Sequence, residues 1–131
     1  MAAKHKYSGS HVEVKTSLEP AKVLALATQA AETFKEISVV GEDASTVALV
    51  IKSWAKVQLM NFSVNVSATD GSTVARTEID GFRTQQSTFM FIPIGPKELL
   101  GYKSYKRYMA LFAEAVKAVD SKATYHVQER A

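Results

Sequence analysis

The sequence predicts an α+β domain: a curved antiparallel sheet of about six strands with an N-terminal helix and a long C-terminal helix packed on one face, in the order β-α-β-β-β-β-β-α. Two segments with apolar residues at helical spacing enclose a long region in which apolar and polar residues alternate. The chain of 131 residues has the size of one ordinary domain. We therefore expect a single domain over residues 1–131, with its core at about 11–120 and flexible ends at 1–10 and 122–131.

The first two predicted elements are a short strand and a helix. In HVEVKTS, Val12 and Val14 alternate with charged residues, as in a strand with one buried side. The following LEPAKVLALATQAAETF has Pro20 in the first helical turn, where proline is tolerated. Apolar residues then recur at helical spacing at Val23, Ala27, Ala30 and Phe34. This apolar side predicts that the helix lies on the sheet.

Four alternating segments in the middle of the chain predict two hairpins. EISVVG and STVALVIKS are separated by Glu42, Asp43 and Ala44, which favour a turn. VQLMNFSVNVSAT and STVARTEIDGF flank Asp70 and Gly71, a dipeptide that readily adopts a type I′ turn. Because a two-residue turn fixes the register, the opposite residues of the second hairpin can be predicted.

The predicted register separates the side chains of the second hairpin by polarity. On one face the opposite pairs are Ala68 with Thr73, Val66 with Ala75, Val64 with Thr77 and Phe62 with Ile79. On the other face they are Ser67 with Val74, Asn65 with Arg76, Ser63 with Glu78 and Asn61 with Asp80. The first set is apolar or small and the second is mostly polar, so this hairpin is predicted to have a single buried side.

A further strand and a long helix complete the predicted fold. QSTFMFIPI is predicted to return along the sheet until Pro93, which lacks a backbone donor. After the loop GPKELLG, the stretch YKSYKRYMALFAEAVKAVD has an apolar side formed by Tyr105, Tyr108, Phe112, Ala115 and Val119. Basic residues lie mostly off that side, at Lys103, Lys106, Arg107 and Lys117. The segment from Lys122 onwards is expected to be loose.

The residue types exclude several kinds of site. A chain without cysteine forms no disulfide, thiolate metal site or iron–sulfur cluster. His5, His11 and His126 lack the spacing of a metal site, so we expect no metal and no cofactor. The net charge of +3 comes from interspersed charges, and helical spacing separates the aromatic residues of the C-terminal helix from its basic ones. Nucleic acid is therefore not an expected partner.

The sequence also bears on localisation. No stretch approaches the roughly 18 apolar residues of a membrane span. The opening MAAKHKYSGS lacks the apolar run of a signal peptide. We therefore expect a cytoplasmic protein without a membrane-spanning helix.

Two features allow either a functional or a purely structural interpretation. Glu78 and Asp80 point the same way on one predicted strand, roughly 6.6 Å apart by strand rise, a separation at which two carboxylates can share acid and base work. We favour a solvated outer face with cross-strand pairs. Trp54, the only tryptophan, is interpreted as an edge or rim residue rather than a stacking platform.

The order of elements resembles the helix-grip arrangement of the START-related and plant pollen-allergen superfamily. VEVKTSLEPAKVLALAT is similar to the opening of that superfamily, in which a strand leads into a helix through a Glu-Pro turn. The resemblance extends from Val12 to Val119, with one strand fewer and without a second short helix after the first. A single repeat of the TATA-box-binding protein is a second, shorter resemblance, with strand, helix, strands and helix.

The helix-grip resemblance implies an apolar cavity between the sheet and the C-terminal helix. Its lining would come from Met60, Phe62, Val64, Ile79, Tyr105, Tyr108 and Phe112, with Phe89 or Phe91 contributing whichever faces inward. The loop from Pro93 to Gly101 would cover the entrance, and tyrosine hydroxyls would orient a polar group of the ligand. The same side chains would otherwise fill the space as core.

Three functions follow as hypotheses. The first is a non-enzymatic binder or carrier of a small apolar ligand, with no catalytic residue assigned. The second is an interaction module or homodimer that acts through a sheet edge or through the basic helix face at Lys103, Lys106 and Arg107. The third is a cyclase-like enzyme, which we rank last because no carboxylate or histidine falls on the predicted apolar face.

Overall fold

The computed structural model describes residues 9–53, 57–69, 71–82, 84–85, 88–89, 92–93, 98–99 and 101–128. The first half of the chain contains β1 (His11–Thr16), α1 (Pro20–Glu32), β2 (Ile37–Glu42), β3 (Thr46–Lys52) and β4 (Gln58–Thr69). The second half contains β5 (Ser72–Phe82), the two-residue strands β6 (Thr84–Gln85), β7 (Thr88–Phe89), β8 (Ile92–Pro93) and β9 (Glu98–Leu99), then α2 (Tyr102–Val119) and β10 (Thr124–Gln128).

The main sheet has six strands in the order β10-β1-β5-β4-β3-β2 and every neighbouring pair is antiparallel. Helix α1 packs against β2, β3 and β4, whereas α2 packs against β1, β10 and α1. The buried side chains of both helices join those of the sheet in one apolar core. The predicted α+β class, with an antiparallel sheet and a helix near each end, is confirmed.

The sixth strand of the sheet is not the predicted one. Within QSTFMFIPI, Thr88–Phe89 pairs with Ile92–Pro93 in a separate two-stranded ribbon, and the remaining residues lie outside the described ones. Residues 124–128, expected to be flexible, pair with β1 at the edge of the sheet. The strand was missed because its alternation is short: among the five exposed residues of β10, Tyr125 and Val127 are the two apolar ones, which is a weak pattern at the end of the predicted fold.

Buried residues extend slightly beyond the expected core of about 11–120 at both ends. Ser10, placed in the flexible N-terminal segment, is buried, and its hydroxyl donates to the Tyr102 hydroxyl at 3.2 Å. Ala123 is buried beyond the expected limit at 120. In α2, Val119 was predicted on the apolar side but is 49% exposed, because the buried stripe follows Phe112 with Val116 instead.

The hairpin of β4 and β5 follows the predicted register over most of its length. All predicted pairs from Ala68 opposite Thr73 to Phe62 opposite Ile79 are present. The pair of Asn61 with Asp80 is wrong, since a bulge places Asn61 opposite Gly81. Thr69 opposite Ser72 closes the two-residue turn, in which Gly71 has φ 81° and Asp70 lies outside the described residues.

The hairpin of β2 and β3 turns at Asp43, as predicted. The Asp43 carboxylate accepts hydrogen bonds from the N–H groups of Ser45 and Thr46, both at 2.8 Å. These bonds, the Ser45 one first, hold the pKa of Asp43 below its usual range. Such a side-chain turn is the usual role of aspartate between two strands.

Candidate functional site

The predicted lining residues come together between β4 and α2. Strand β4 contributes three and α2 contributes three, all fully buried: Met60, Phe62, Val64, Tyr105, Tyr108 and Phe112. Ile79, on β5, is partly buried and packs against this group. The Phe89 side chain and all of Phe91 lie outside the described residues. Most of the predicted lining thus forms one side of the core.

Phe62 lies at the centre of an aromatic cluster. Its ring centroid is 5.0 Å from those of Tyr105 and Tyr108, with both rings in edge geometry. Tyr108 stacks on Phe112 at 6.2 Å and contacts Phe34, beyond α1, at 6.4 Å. These distances are those of favourable aromatic contacts, so the rings hold β4 and α2 together.

The Tyr105 hydroxyl joins three parts of the chain. It donates to the Ser10 carbonyl at 2.6 Å and lies 2.9 Å from the Thr77 hydroxyl. Because the Tyr105 proton goes to Ser10, the Thr77 hydroxyl is the donor to Tyr105, and it accepts in turn from the Val12 N–H at 3.0 Å. Every hydroxyl in this chain of bonds has a partner within the protein.

Tyr108 is fixed in a similar way, since its hydroxyl donates to the Ala27 carbonyl of α1 at 2.8 Å. Burial raises the pKa of both Tyr105 and Tyr108 well above the usual tyrosine value, so both remain neutral phenols. Across the described residues, no buried side-chain nitrogen or oxygen lacks a hydrogen-bond partner. The hydroxyls of Tyr105 and Tyr108, which were expected to orient a polar group of a ligand, are therefore bonded to groups of the protein itself.

The predicted acid and base candidates lie elsewhere. Glu78 and Asp80 are exposed, in agreement with the solvated outer face that we favoured. The buried polar residues of the described chain are serines and threonines. A raised tyrosine pKa is the opposite of what a general base at neutral pH requires. The buried polar side chains of the described core are therefore neutral hydroxyls.

The basic residues at the start of α2 are exposed, but one of them is tied to the fold. The Arg107 guanidinium lies 5.3 Å from the centroid of the Phe34 ring, a cation–π contact. The Ser104 hydroxyl donates to Glu36 at 2.8 Å, and the pKa of Glu36 is lowered by a backbone hydrogen bond, by Ser104 and by the Arg107 charge. Part of the basic helix face therefore joins α2 to the start of β2.

The edge strand β10 is a candidate site that our sequence reasoning missed. Tyr125 and Val127 lie opposite Val14 and Val12 of β1, and so share the face that carries the helices. Yet Tyr125 is 46% exposed and Val127 is 37% exposed. The alternation of Thr, Tyr, His, Val and Gln, with its strand-forming residues, was the available signal.

The backbone of β10 has an outer side that faces away from the sheet. The backbone N–H and C=O groups of successive strand residues point to opposite sides of the strand. The Val12 N–H bonds to Thr77, so Val12 points toward β5. The backbone groups of Glu13, the next residue, therefore point toward β10. Glu13 lies opposite His126, whose groups therefore face β1. By the same alternation the N–H and C=O groups of Tyr125 and Val127 point outward, where the described part of the sheet has no further strand.

The two sides of this edge differ in polarity. Glu13, Lys15, Thr124 and His126, whose side chains lie on the outer face of the sheet, line a shallow depression of about 240 Å³ together with Tyr125. On the helix face, the Lys117 ammonium lies 5.8 Å from the centroid of the Tyr125 ring. The edge thus combines exposed apolar side chains on one face with charged and polar side chains on the other.

The opposite edge of the sheet is built differently. Strand β2 carries a bulge between Val39 and Gly41, which interrupts its regular pairing with β3. Val40 at this bulge is 63% exposed. Bulges disfavour the addition of a further strand, whereas β1 and β10 pair without one. Of the two edges, β10 is therefore the better surface for strand addition.

Comparison with known proteins adds no relative, since no family model and no curated protein matches the chain. The superfamily resemblance therefore stays a prediction.

Among the described residues no helix is long and apolar enough to cross a membrane. Nor do the residues that the structure covers contain three or more histidine, aspartate or glutamate side chains grouped as metal ligands. Trp54 lies outside the described residues.

Proposed function

We propose that the protein is an interaction module that binds its partner by strand addition at β10. The observation that carries this proposal is the outward row of backbone groups at Tyr125 and Val127, beside side chains that are apolar and partly exposed. An added strand would supply the missing hydrogen bonds, and its side chains would cover Tyr125 and Val127.

The residues of β10 favour selective binding of a partner strand over nonspecific association. Within the described strand, the backbone groups of Tyr125 and Val127 point outward. The residues that flank these two in the strand, Thr124, His126 and Gln128, are polar. A partner strand must therefore match a short pattern in which apolar side chains alternate with polar ones. An edge of five residues also predicts a weak, reversible complex.

A selection of short random peptides on the immobilised protein tests this function. We expect the selected peptides to be rich in β-branched and aromatic residues, and to bind the Val127→Lys variant about tenfold more weakly, because a lysine at the edge opposes strand addition. Val40→Lys is the matched control, since it adds the same charge at an exposed valine on the opposite edge.

Two results would contradict the proposal. One is that no peptide family is enriched on the wild-type protein. The other is that Val127→Lys and Val40→Lys weaken peptide binding equally, which would place the binding surface away from β10.

A second candidate function is the binding of a small apolar ligand between β4 and α2. The observation that favours it is the aromatic cluster itself, which extends from Phe62 through Tyr105 to Tyr102 at a ring distance of 6.2 Å. Tyr102 is only partly buried, so the cluster reaches from the core to the start of α2. Apolar side chains with a few polar groups at the margin are typical of small-molecule sites.

Native mass spectrometry of gently purified protein tests this second candidate. A bound ligand gives an excess mass that disappears on denaturation, and it raises the melting temperature when added back. A clean mass together with no thermal shift from fatty acids, sterols or aromatic metabolites would contradict it.

A further inference from the structure

We infer that the partner of β10 is a second copy of the same chain, paired antiparallel about a twofold axis that passes beside His126. This inference rests on the proposed function, because it uses the same edge. It adds the identity of the partner, the register of the pairing and the stoichiometry.

The register follows from the direction of the backbone groups. Within β10 as described, the outward backbone groups are those of Tyr125 and Val127. Each hydrogen-bonded pair across the new interface therefore joins one of these two residues to Tyr125 or Val127 of the second copy. With Tyr125 opposite Val127 of the second copy, all five residues of β10 are paired. With Tyr125 opposite Tyr125, only residues 124–126 find partners within the strand, and with Val127 opposite Val127, only residues 126–128 do. The first register therefore uses the edge fully.

The side chains fit this register. Each Tyr125 would lie beside Val127 of the other copy, twice about the axis, and an aromatic residue beside a β-branched one is a favourable cross-strand pair. On the outer face Thr124 would lie opposite Gln128, and the two His126 residues would meet at the axis, each next to its own Glu13. No pair in this register joins two side chains of like formal charge.

The twofold arrangement also fixes the stoichiometry. Each copy uses its one outward row of β10, so the two six-stranded sheets would become one continuous sheet and no β10 edge remains. The other end of that sheet is β2, whose bulge opposes further addition. The assembly therefore stops at a dimer, and the short edge makes its dissociation constant strongly dependent on Tyr125 and Val127.

Cysteine cross-linking tests the register, because the chain has no cysteine of its own. In the inferred dimer the two residues at position 126 form a non-hydrogen-bonded pair with Cα atoms about 4.5 Å apart, within disulfide range. His126→Cys should therefore cross-link rapidly under mild oxidation. Thr124→Cys is the matched control, because its two copies would lie about 14 Å apart by strand rise and should not cross-link.

Sedimentation measurements over a range of protein concentrations test the dimer itself. We expect a reversible monomer–dimer equilibrium, weakened about tenfold or more by Val127→Lys and unchanged by Val40→Lys. Equal cross-linking of the two cysteine variants, or a dimer that Val127→Lys leaves intact, would overturn the inference.

The two proposals fail in different ways. A monomer at every concentration that still binds selected peptides in a Val127-dependent manner would overturn self-pairing and leave the interaction module standing. A monomer without such peptide binding would overturn both.

Discussion

Tyr105 shows how much of this fold depends on single polar atoms inside an apolar core. Its hydroxyl connects α2 to Ser10, before the first strand, and to Thr77 in β5. These partners are separated from Tyr105 by 95 and 28 residues along the chain. A buried hydroxyl with two such bonds stabilises one particular arrangement of the three segments.

Replacing Tyr105 by phenylalanine tests this role. We expect a loss of about 1–3 kcal/mol in the free energy of unfolding, because the Ser10 and Thr77 oxygens lose a buried partner. Tyr108→Phe should cost less, about 0.5–1.5 kcal/mol, since the Ala27 carbonyl keeps its bond within α1. Urea unfolding of both variants measures the difference, and equal losses would contradict this account.

Gly101 is a second residue whose replacement has a definite expected result. It precedes α2 with φ 85°, and a Cβ atom there would lie 3.3 Å from Met60 Cβ and 3.4 Å from Ile51 Cγ2. Gly101→Ala should lower the free energy of unfolding by more than the roughly 1–2 kcal/mol of the left-handed backbone alone. Chemical unfolding measures this loss.

Gly71 supplies the control for Gly101. It has φ 81° but open space around it, so Gly71→Ala should show the backbone cost alone. Gly71→Asn should be close to wild type, because asparagine tolerates this conformation, whereas Gly101→Asn should remain destabilised by crowding. Equal results at the two positions would show that packing around Gly101 is loose.

At the scale of elements, Asp120 connects the end of α2 to the link between β1 and α1. Its carboxylate accepts from the Thr16 hydroxyl at 2.7 Å, from the Ser17 N–H at 3.1 Å and from the Ser17 hydroxyl at 3.2 Å. It also accepts from the Lys122 N–H at 3.1 Å. The Thr16 bond first, and the others after it, hold the pKa of Asp120 below its ordinary value of 3.8.

Asp120→Asn is expected to lower stability at neutral pH, because the charged acceptor is lost. A carboxylate whose pKa is lower in the folded state contributes stability above its unfolded pKa and loses it as the pH falls through the folded one. The stability difference between wild type and Asp120→Asn should therefore shrink below about pH 4. Thermal unfolding at several pH values measures it, with Glu114→Gln on the exposed side of α2 as control. A difference that persists in acid would refute the role of the charge.

Removing strand β10 tests whether the C-terminal segment stabilises the monomer. Ending the chain after Ala123 should keep the fold, since β10 is exposed throughout, but should lower the melting temperature by on the order of 5 °C because β1 loses its pairing on one side. Removing only residues 129–131 is the control and should have little effect. If both truncations behave alike, β10 does not stabilise the monomer.

For the whole molecule, the buried and hydrogen-bonded groups predict a stability plateau between two pH limits. The pKa values of Asp43, Asp120 and Glu36 are lowered, so their contribution is present above their ordinary values of 3.8 and 4.5 and is lost in acid. The pKa values of Tyr105 and Tyr108 are raised, so their contribution is present below the ordinary value of 10.0 and is lost as the pH rises beyond it.

Alkaline titration checks the upper limit. Part of the phenolate absorbance should appear only together with the loss of circular dichroism, because Tyr105 and Tyr108 ionise when the protein unfolds. In the double variant with both tyrosines changed to phenylalanine, this late fraction should disappear. Complete ionisation of all tyrosines while the protein stays folded would contradict the burial of these two side chains.

The parts of the molecule that could be predicted from sequence are those in which local pattern and burial agree. The β4–β5 hairpin combines alternating polarity with a turn dipeptide, so its register was predicted correctly from the turn as far as Phe62 and Ile79. No sequence signal marked the bulge beside Asn61. The apolar side of α2 at Tyr105, Tyr108 and Phe112 followed from helical spacing, whereas their grouping with Phe62 was expected only from the helix-grip resemblance. The hydrogen-bond partners of the two tyrosines, such as Ser10 and Ala27, could not be predicted because they depend on tertiary contacts.

The position of β1 between β5 and β10 has a consequence for folding on the ribosome. The first strand of the chain pairs with residues 73–76 and with residues 124–128, and with nothing nearer in sequence within the described sheet. During synthesis it therefore waits until β5 has emerged, while the β2–β3 and β3–β4 ladders can already form. Until then Val12 and Val14 belong to an unpaired apolar segment, so the nascent chain has a stage in which this strand is open to mispairing.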